Sequence, residues 1–263
     1  RDGFTAVADI NDDGILDVVV TSPGISNEAI LYSYTYDKGI PKLIAKSYPP
    51  TLDLPTIGVP VIGDISGLGK PSILFTRPSR ILAYSYNGTS FFNQEWTHVT
   101  TDSSGMTGLT VFDFNFDGAQ EIVYRDMSAL TILNGAIILP TVMAKLACYS
   151  GTLMENPIVG DIDNSGHAKI CVVCSSLSNQ FDGHLTIFGP PDSLPGWAPA
   201  RGIWNQYAYN PLYINDDLTV PRYQKNQATY RNGKYNNFMQ QESLLDSNGF
   251  YKSPAASLTG KIQ

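Results

Sequence analysis

One nine-residue loop constrains this chain more than any other feature. Asp9-Ile10-Asn11-Asp12-Asp13-Gly14-Ile15-Leu16-Asp17 sets oxygen-bearing side chains at positions 1, 3, 5 and 9 around a glycine at position 6, and Asp113-Phe114-Asn115-Phe116-Asp117-Gly118-Ala119-Gln120-Glu121 repeats the arrangement. A hard cation such as calcium takes six to eight oxygens at ~2.3–2.6 Å, which alternate residues of a tightly curled loop supply. Glycine at position 6 permits the sharp turn without a Cβ clash. The candidate ligands of a first calcium are therefore Asp9, Asn11, Asp13, Asp17 and the carbonyl of Ile15. Those of a second are Asp113, Asn115, Asp117, Glu121 and the carbonyl of Ala119.

The flanks decide what kind of loop this is. An EF-hand needs a bidentate acid at position 12 and a helix on each side. Position 12 is Val20 in one loop and Tyr124 in the other. The following runs, Asp17-Val18-Val19-Val20-Thr21 and Glu121-Ile122-Val123-Tyr124, are β-branched and aromatic, so they predict strands. The loop closes at position 9, inside a hairpin.

Two weaker copies complete a series. Asp64-Ile65-Ser66-Gly67-Leu68-Gly69-Lys70-Pro71-Ser72 keeps the first acid and the glycine but offers Leu68 and Ser72 where ligands belong, so no metal is expected there. Asp161-Ile162-Asp163-Asn164-Ser165-Gly166-His167-Ala168-Lys169 keeps Asp161, Asp163 and Ser165 as a possible third site, yet ends in a lysine whose ammonium can take the cation's place. The first aspartates stand at 9, 64, 113 and 161, so the intervals are 55, 49 and 48. A period in this range marks a repeat architecture. Each copy has a short apolar run before its loop: Phe4–Ala8, Gly58–Gly63, Leu109–Phe112 and Pro157–Gly160. Each also has a later strand: Ile30–Tyr34, Ile81–Tyr86, Leu130–Gly135 and Leu185–Gly189. Three or four short strands per repeat, punctuated by glycine and proline, describe the blade of a β-propeller.

The units resemble FG-GAP/VCBS repeats, the calcium-carrying blades of integrin α-like propellers, over about residues 1–190. Two loops match that family's Asp-x-Asn-x-Asp-Gly-x-x-Asp/Glu pattern in full, one in part, and one has lost it. The resemblance implies an all-β propeller with structural calcium, in proteins that mostly adhere or bind outside the cell. It does not fix one activity, because some polysaccharide lyases use similar blades. The expected organisation is propeller blades over 1–190 and a closing blade or cap over 191–263 packed on them. The later strings Trp204-Asn205-Gln206-Tyr207 and Ile214-Asn215-Asp216-Asp217-Leu218-Thr219-Val220-Pro221 resemble the segment that follows such repeats in large surface proteins of Bacteroidetes-type bacteria. That likeness implies a bacterial protein that is secreted or held at the cell surface.

Charge and cysteine narrow the class. The chain of 263 residues carries a net charge of −7, which argues against nucleic acid as a partner, since that recognition leans on clustered Lys and Arg. No run of ~18 apolar residues spans a membrane. Arg1 opens almost on the first metal loop without a methionine, so a longer protein with a leader and further blades upstream is expected. Cys148, Cys171 and Cys174 are an odd set, and the two in Cys171-Val172-Val173-Cys174 face opposite sides of a strand. Buried thiols are the expected state, with a disulfide from Cys148 to one of the others as the alternative. Asn87-Gly88-Thr89 is a glycosylation sequon, meaningful in a eukaryotic secretory host.

Binding is better supported than chemistry. His98, His167 and His184 are the only histidines, and no nucleophile elbow, zinc-protease or phosphate-loop motif occurs. A lyase using Lys, Arg or Tyr as base remains the enzymatic alternative, and a structural module of a secreted assembly the other. Trp197, Trp204 and Tyr207 offer flat rings for a sugar, against the simpler reading that such rings pack the core. The function expected is a calcium-stiffened surface module with a glycan or protein ligand outside the cell.

Overall fold

The computed structural model describes residues 3–24, 28–48, 56–135, 139–176, 179–191 and 196–245; residues 246–263 of the expected closing segment lie outside these. Apart from a 3-10 turn at Pro211–Tyr213, every regular element among the described residues is a strand. Fifteen strands form four antiparallel sheets, each built from neighbours in sequence. The first joins β1 (Phe4–Ala8), β2 (Asp17–Thr21), β3 (Leu31–Asp37) and β4 (Ile40–Ser47). The second joins β5 (Val61–Gly63), β6 (Ser72–Arg77), β7 (Arg80–Tyr86) and β8 (Phe92–Val99). The third joins β9 (Leu109–Phe112), β10 (Glu121–Arg125), β11 (Ala129–Asn134) and β12 (Thr141–Ala147). The fourth has three strands, β13 (Ile158–Gly160), β14 (Lys169–Ser176) and β15 (Asn179–Phe188).

Burial is greatest in the first two strands of the second and third sheets and least in the outermost strands, and composition follows it. The short inner strands β5 and β9 are buried at every residue, as are β6 and β10, whose runs Ser-Ile-Leu-Phe-Thr-Arg and Glu-Ile-Val-Tyr-Arg are largely apolar and β-branched or aromatic. The outer strands β4, β8 and β12 are mostly exposed, and Pro41 sits in β4, where a missing donor costs no ladder bond. A register shift falls between the third and fourth strands of each four-stranded sheet, at Ser33/Tyr34, Ala83/Tyr84 and Ile132/Leu133. Such bulges add local twist. Recurrence at matching places shows that the first three units repeat in shape as well as in sequence.

The inner strands β1, β5, β9 and β13 lie side by side in chain order. One apolar cluster, with Ile62, Leu74, Phe75, Leu82, Val111 and Ile122 at its centre, fills the space among the first three sheets. A second, around Phe112, Val123, Ile132, Val159 and Ile170, joins the third sheet to the fourth. The all-β class expected from the sequence is what the structure has. Among the described residues no strand of the first sheet pairs with one of the fourth, so strand pairing does not close the array into a ring.

The cysteines correct an expectation. Cys148 and Cys174 form a disulfide, with Cα atoms 5.0 Å apart, where buried thiols were expected; only Cys171 is free. The reason is local pairing: Tyr149 bridges Ser175 of β14, which brings the residue after β12 against the neighbour of Ser175. Cys174 is buried while Cys171 is half-buried on the other face of the strand.

Candidate functional site

All four Asp loops connect the first and second strands of their sheets, so they lie at the same end of the inner strands. They share one backbone. Positions 4 and 6 are left-handed in each, with φ of +61° and +81° at Asp12 and Gly14, +70° and +74° at Gly67 and Gly69, +57° and +91° at Phe116 and Gly118, and +55° and +82° at Asn164 and Gly166. The first aspartate holds that shape by accepting the amides of positions 5 and 6. Asp9 accepts from Asp13 at 3.2 Å and Gly14 at 2.7 Å; Asp64 from Leu68 at 3.3 Å and Gly69 at 2.6 Å. Asp113 accepts from Asp117 and Gly118, both at 3.1 Å; Asp161 from Ser165 at 2.9 Å and Gly166 at 3.0 Å. The position-1 acid is thus a loop-shaping residue in all four copies, whether or not the other oxygens are present.

Position 9 separates the copies. Asp17 accepts the amide of Ile10 at 2.9 Å, and Glu121 that of Phe114 at 2.7 Å. Both acids are fully buried. Burial pushes Asp17 up to about 6 and Glu121 up to about 8, and neighbouring loop carboxylates add to the effect. Burial alone favours the neutral acid, whereas a nearby cation restores the charged form. In the first loop, Asn11 Oδ1 is buried and accepts no hydrogen bond, and the second oxygen of Asp17 has only the Thr35 hydroxyl beside it. Oxygens so little used by the protein fit a hard cation. In the third loop Asn115 Oδ1 accepts the Asp117 amide at 3.0 Å, so its oxygens are more nearly satisfied.

The same bonds explain why no group of three or more acidic, histidine or cysteine side chains gathers at metal-binding distance among the described residues. Positions 1 and 9 point at amides, and the position-5 carboxylates of Asp13 and Asp117 take the amides of Asn11 and Asn115 at 3.0 and 2.9 Å. The remaining loops are closed differently. Ser66 donates to Asp64 at 2.9 Å, and in the fourth loop Lys169 Nζ lies 2.8 Å from Ser165 Oγ and 3.5 Å from Asp163. That ammonium stands among the oxygens that would otherwise face a cation.

Beside the loops runs a segment whose role its sequence hides. Residues 236–241 cross the inner strands of successive sheets. Asn236 makes two bonds of 2.7 Å with the backbone of Asp9 just past β1, and Phe238 pairs with Ile62 of β5 through bonds of 2.8 and 3.0 Å. Met239 and Gln241 bond Val111 of β9, both at 3.3 Å, and the Gln241 amide reaches Val159 O of β13 at 2.8 Å. Gln227 adds a bond to Val7 O at 2.7 Å. Asparagine and glutamine suit this work because each carries both a donor and an acceptor.

Between the first three loops and this crossing segment lies a cavity of about 1080 Å³. Its wall combines Asn11 and Asp12, Gly69 and Lys70, Phe116 and Gly118, the hairpin end Tyr86–Gly88, and parts of 232–243. Gln120 and Gln240 also border it, although the Oε1 of each is buried and without a hydrogen-bond partner. Phe116 also stands out. At position 4 the other loops have Asp, Gly and Asn, which tolerate the left-handed region, whereas a bulky residue there costs roughly 1–2 kcal/mol. Phe116 is 37% exposed and lines the cavity. Neither the cavity nor Phe116 was identified from sequence; an aromatic at a left-handed loop position, and the Asn/Gln density of 226–241, were the available signals.

The aromatic candidates of the later segment do not share a platform. Trp197 packs edge-on against Phe114 with ring centres 4.9 Å apart, at the second apolar cluster. Trp204 stacks on Tyr209 at 4.3 Å, at the first. Tyr207 is largely exposed and donates to Asn156 Oδ1 at 3.4 Å.

No model of a known family matches the chain, and no curated protein does. Among solved structures, it is similar to the V. cholerae biofilm matrix protein Bap1, with a TM-score of 0.53 and 21% identity over 81% of this chain and 33% of that one. A second, the BBS1 N-terminal region in complex with ARL6, has a TM-score of 0.42 and 13% identity over 72% of this chain and 57% of that one, and bears on neither fold nor function. This chain spans about a third of the Bap1 chain, and what the two share is the fold.

Proposed function

We propose that the chain is a calcium-stiffened binding module of the β-propeller kind, acting outside the cell on a glycan or protein ligand. The observation that carries the reading is the contrast among four loops of one shape. Only two have a complete oxygen set, and in the first of them a buried oxygen of Asn11 lacks any partner. Asp9, Asn11, Asp13, Asp17 and the Ile15 carbonyl would hold one ion, and Asp113, Asn115, Asp117, Glu121 and the Ala119 carbonyl the other. The bound ion would neutralise buried carboxylates and lock loops that border the cavity. An extracellular setting agrees with the Cys148–Cys174 disulfide, which persists in oxidising compartments, and with loops of this type, whose weak sites at ~10⁻⁴–10⁻³ M fill only where calcium is abundant. The Bap1 likeness supports the same reading through fold alone. Among the described residues no helix is long and apolar enough to cross a membrane.

The test is thermal melting in millimolar calcium and in EDTA. Wild type should melt higher in calcium, since a ligand that binds only the native state adds stability. Asp13→Ala and Asp117→Ala should lower the calcium value by more than the EDTA value, where each loses only two hydrogen bonds of its loop. Asp64→Ala, in a loop without a ligand set, should lower both values equally by removing the amide bonds of Leu68 and Gly69. Identical melting of wild type in calcium and EDTA would refute the metal reading.

A further inference from the structure

One stretch of the chain carries charge opposite to the whole. Residues 222–235 read Arg-Tyr-Gln-Lys-Asn-Gln-Ala-Thr-Tyr-Arg-Asn-Gly-Lys-Tyr, with four cations, three tyrosines and no acid, in a protein of net charge −7. Each cation lies over a tyrosine ring: Arg222 over Tyr223 at 5.5 Å, Lys225 and Arg231 over Tyr230 at 5.7 and 5.5 Å, and Lys234 over Tyr235 at 5.6 Å. Tyr230 and Tyr235 stack with ring centres 5.7 Å apart. Such contacts are weak at exposed sites, and two like charges gathered on one ring repel each other. The stretch is nevertheless fastened in place. Asn226 donates to the Gly14 carbonyl of the first loop at 3.2 Å, and Asn236 bonds the backbone of Asp9.

A second, smaller cavity of about 280 Å³ borders this stretch, lined in part by Tyr223, Lys225, Tyr230 and Arg231. Its two acids are already engaged. Asp216 accepts Arg201 Nε at 2.7 Å, while Glu242 accepts the Tyr235 hydroxyl and lies 3.4 Å from Lys234 Nζ. The nearby Asp217 accepts the hydroxyl and amide of Thr219. Arg222, Lys225 and Arg231 are exposed and have no carboxylate partner among the described residues, so the charge left over is positive. The backbone is the second, independent pointer. Arg231, Asn232 and Gly233 are left-handed in succession, with φ of +50°, +57° and +76°. Asn and Gly tolerate that region, whereas arginine is strained there, and such strain clusters at ligand clamps. Here the strained residue is a cation on the cavity wall. Unpaired guanidinium and ammonium groups select an anion, and the arginine fork matches a carboxylate. Tyr223, 77% exposed, adds a flat ring with a polar tip. Duplex nucleic acid, with a charge every ~1.7 Å, would run from this patch onto the acidic remainder of the chain. A polymer with one carboxylate per sugar or two spreads its charge more thinly.

We propose that residues 222–235 and the cavity beside them bind an acidic polysaccharide of the uronate class, with Arg222, Lys225 and Arg231 pairing its carboxylates and Tyr223 packing on a sugar ring. The proposal deepens the binding-module reading and rests on its glycan branch. The experiment is biolayer interferometry of the full chain in millimolar calcium on immobilised hyaluronan and oligogalacturonate, with dextran, single-stranded DNA and phosphatidylserine vesicles as the other arms. The variants are Arg231→Asn and Lys225→Gln, singly and together. Lys42→Gln, at an exposed position of β4, controls for net charge alone. Asn suits the left-handed region, so Arg231→Asn should raise Tm by ~1–4 °C, and Lys225→Gln should leave it within about 1 °C of wild type. Binding to at least one uronate polymer should weaken about threefold in each single variant and at least tenfold in the double, and should fall with added salt. Folded variants with lost binding are the supporting result, because a merely structural role would lower Tm. If wild type binds a uronate and the double variant binds it equally, or Lys42→Gln loses as much, the patch assignment is wrong while glycan binding stands. Dextran bound as tightly as the uronates overturns the ligand class and leaves the glycan branch intact. Tighter binding to DNA or to vesicles overturns the proposal in favour of that partner. Binding to none of the five overturns it together with the glycan branch.

Discussion

Two adjacent glutamines show how much side-chain chemistry a residue type conceals. Gln240 has a buried oxygen without a partner, whereas Gln241, 1% exposed, is fully engaged. Gln241 donates to Val159 O and Ile203 O and accepts from Tyr209 OH and the Glu242 amide. Gln241→Leu should therefore cost about 3 kcal/mol, measured by urea unfolding, because it strands several buried groups at once. The same change one residue earlier should cost almost nothing. Sequence alone separates neither residue from its neighbour: both belong to an Asn/Gln-rich stretch without strand or helix periodicity. The calcium loops were legible for the opposite reason, since their chemistry is local. Asp9 to Asp17 form a ligand set within nine residues, and the loop folds where its glycine permits. What the spacing did not show was the left-handed residue at position 4, which has no glycine to mark it in three of the four loops.

The elements were legible to a similar degree. The runs Phe4–Ala8 and Leu109–Phe112 are strands with those bounds, and the later runs of each repeat became β3, β7, β11 and β15 with ends displaced by up to several residues. Alternation and β-branching suffice even for β1, β9 and β15, which stand at the ends of their sheets. The disulfide was not favoured by sequence, because Cys148 and Cys174 approach only once the third and fourth sheets pack. It closes a loop of separation 26, for which chain entropy assigns about 3.5 kcal/mol. Cys148→Ala/Cys174→Ala should lose stability near that figure in urea unfolding. Denatured wild type should react one thiol before reduction, from Cys171, and three after it. Three thiols without reductant would rule the bridge out.

At the scale of the whole molecule, the residues that cross β1, β5, β9 and β13 join four locally folded units. Each sheet is a meander of neighbours, so it has no need of the others for its own ladders. The crossing segment supplies what they lack, as in Asn236 to Asp9, separated by 227 residues. Ending the chain at Tyr235 should strip amide-exchange protection from Ile62 and Val111 first, while the middle strands β6 and β10 keep theirs longer. Equal protection in the shortened chain would show that the segment only decorates the sheets. Contacts this distant in sequence slow folding, because loop closure is unfavourable until the far partner arrives. Synthesis delivers residues 236–241 after every strand they fasten. The four sheets must therefore wait, ladder edges and cavity open, until the thread that holds them has emerged, so the protein is fastened only once residues 236–241 are set free.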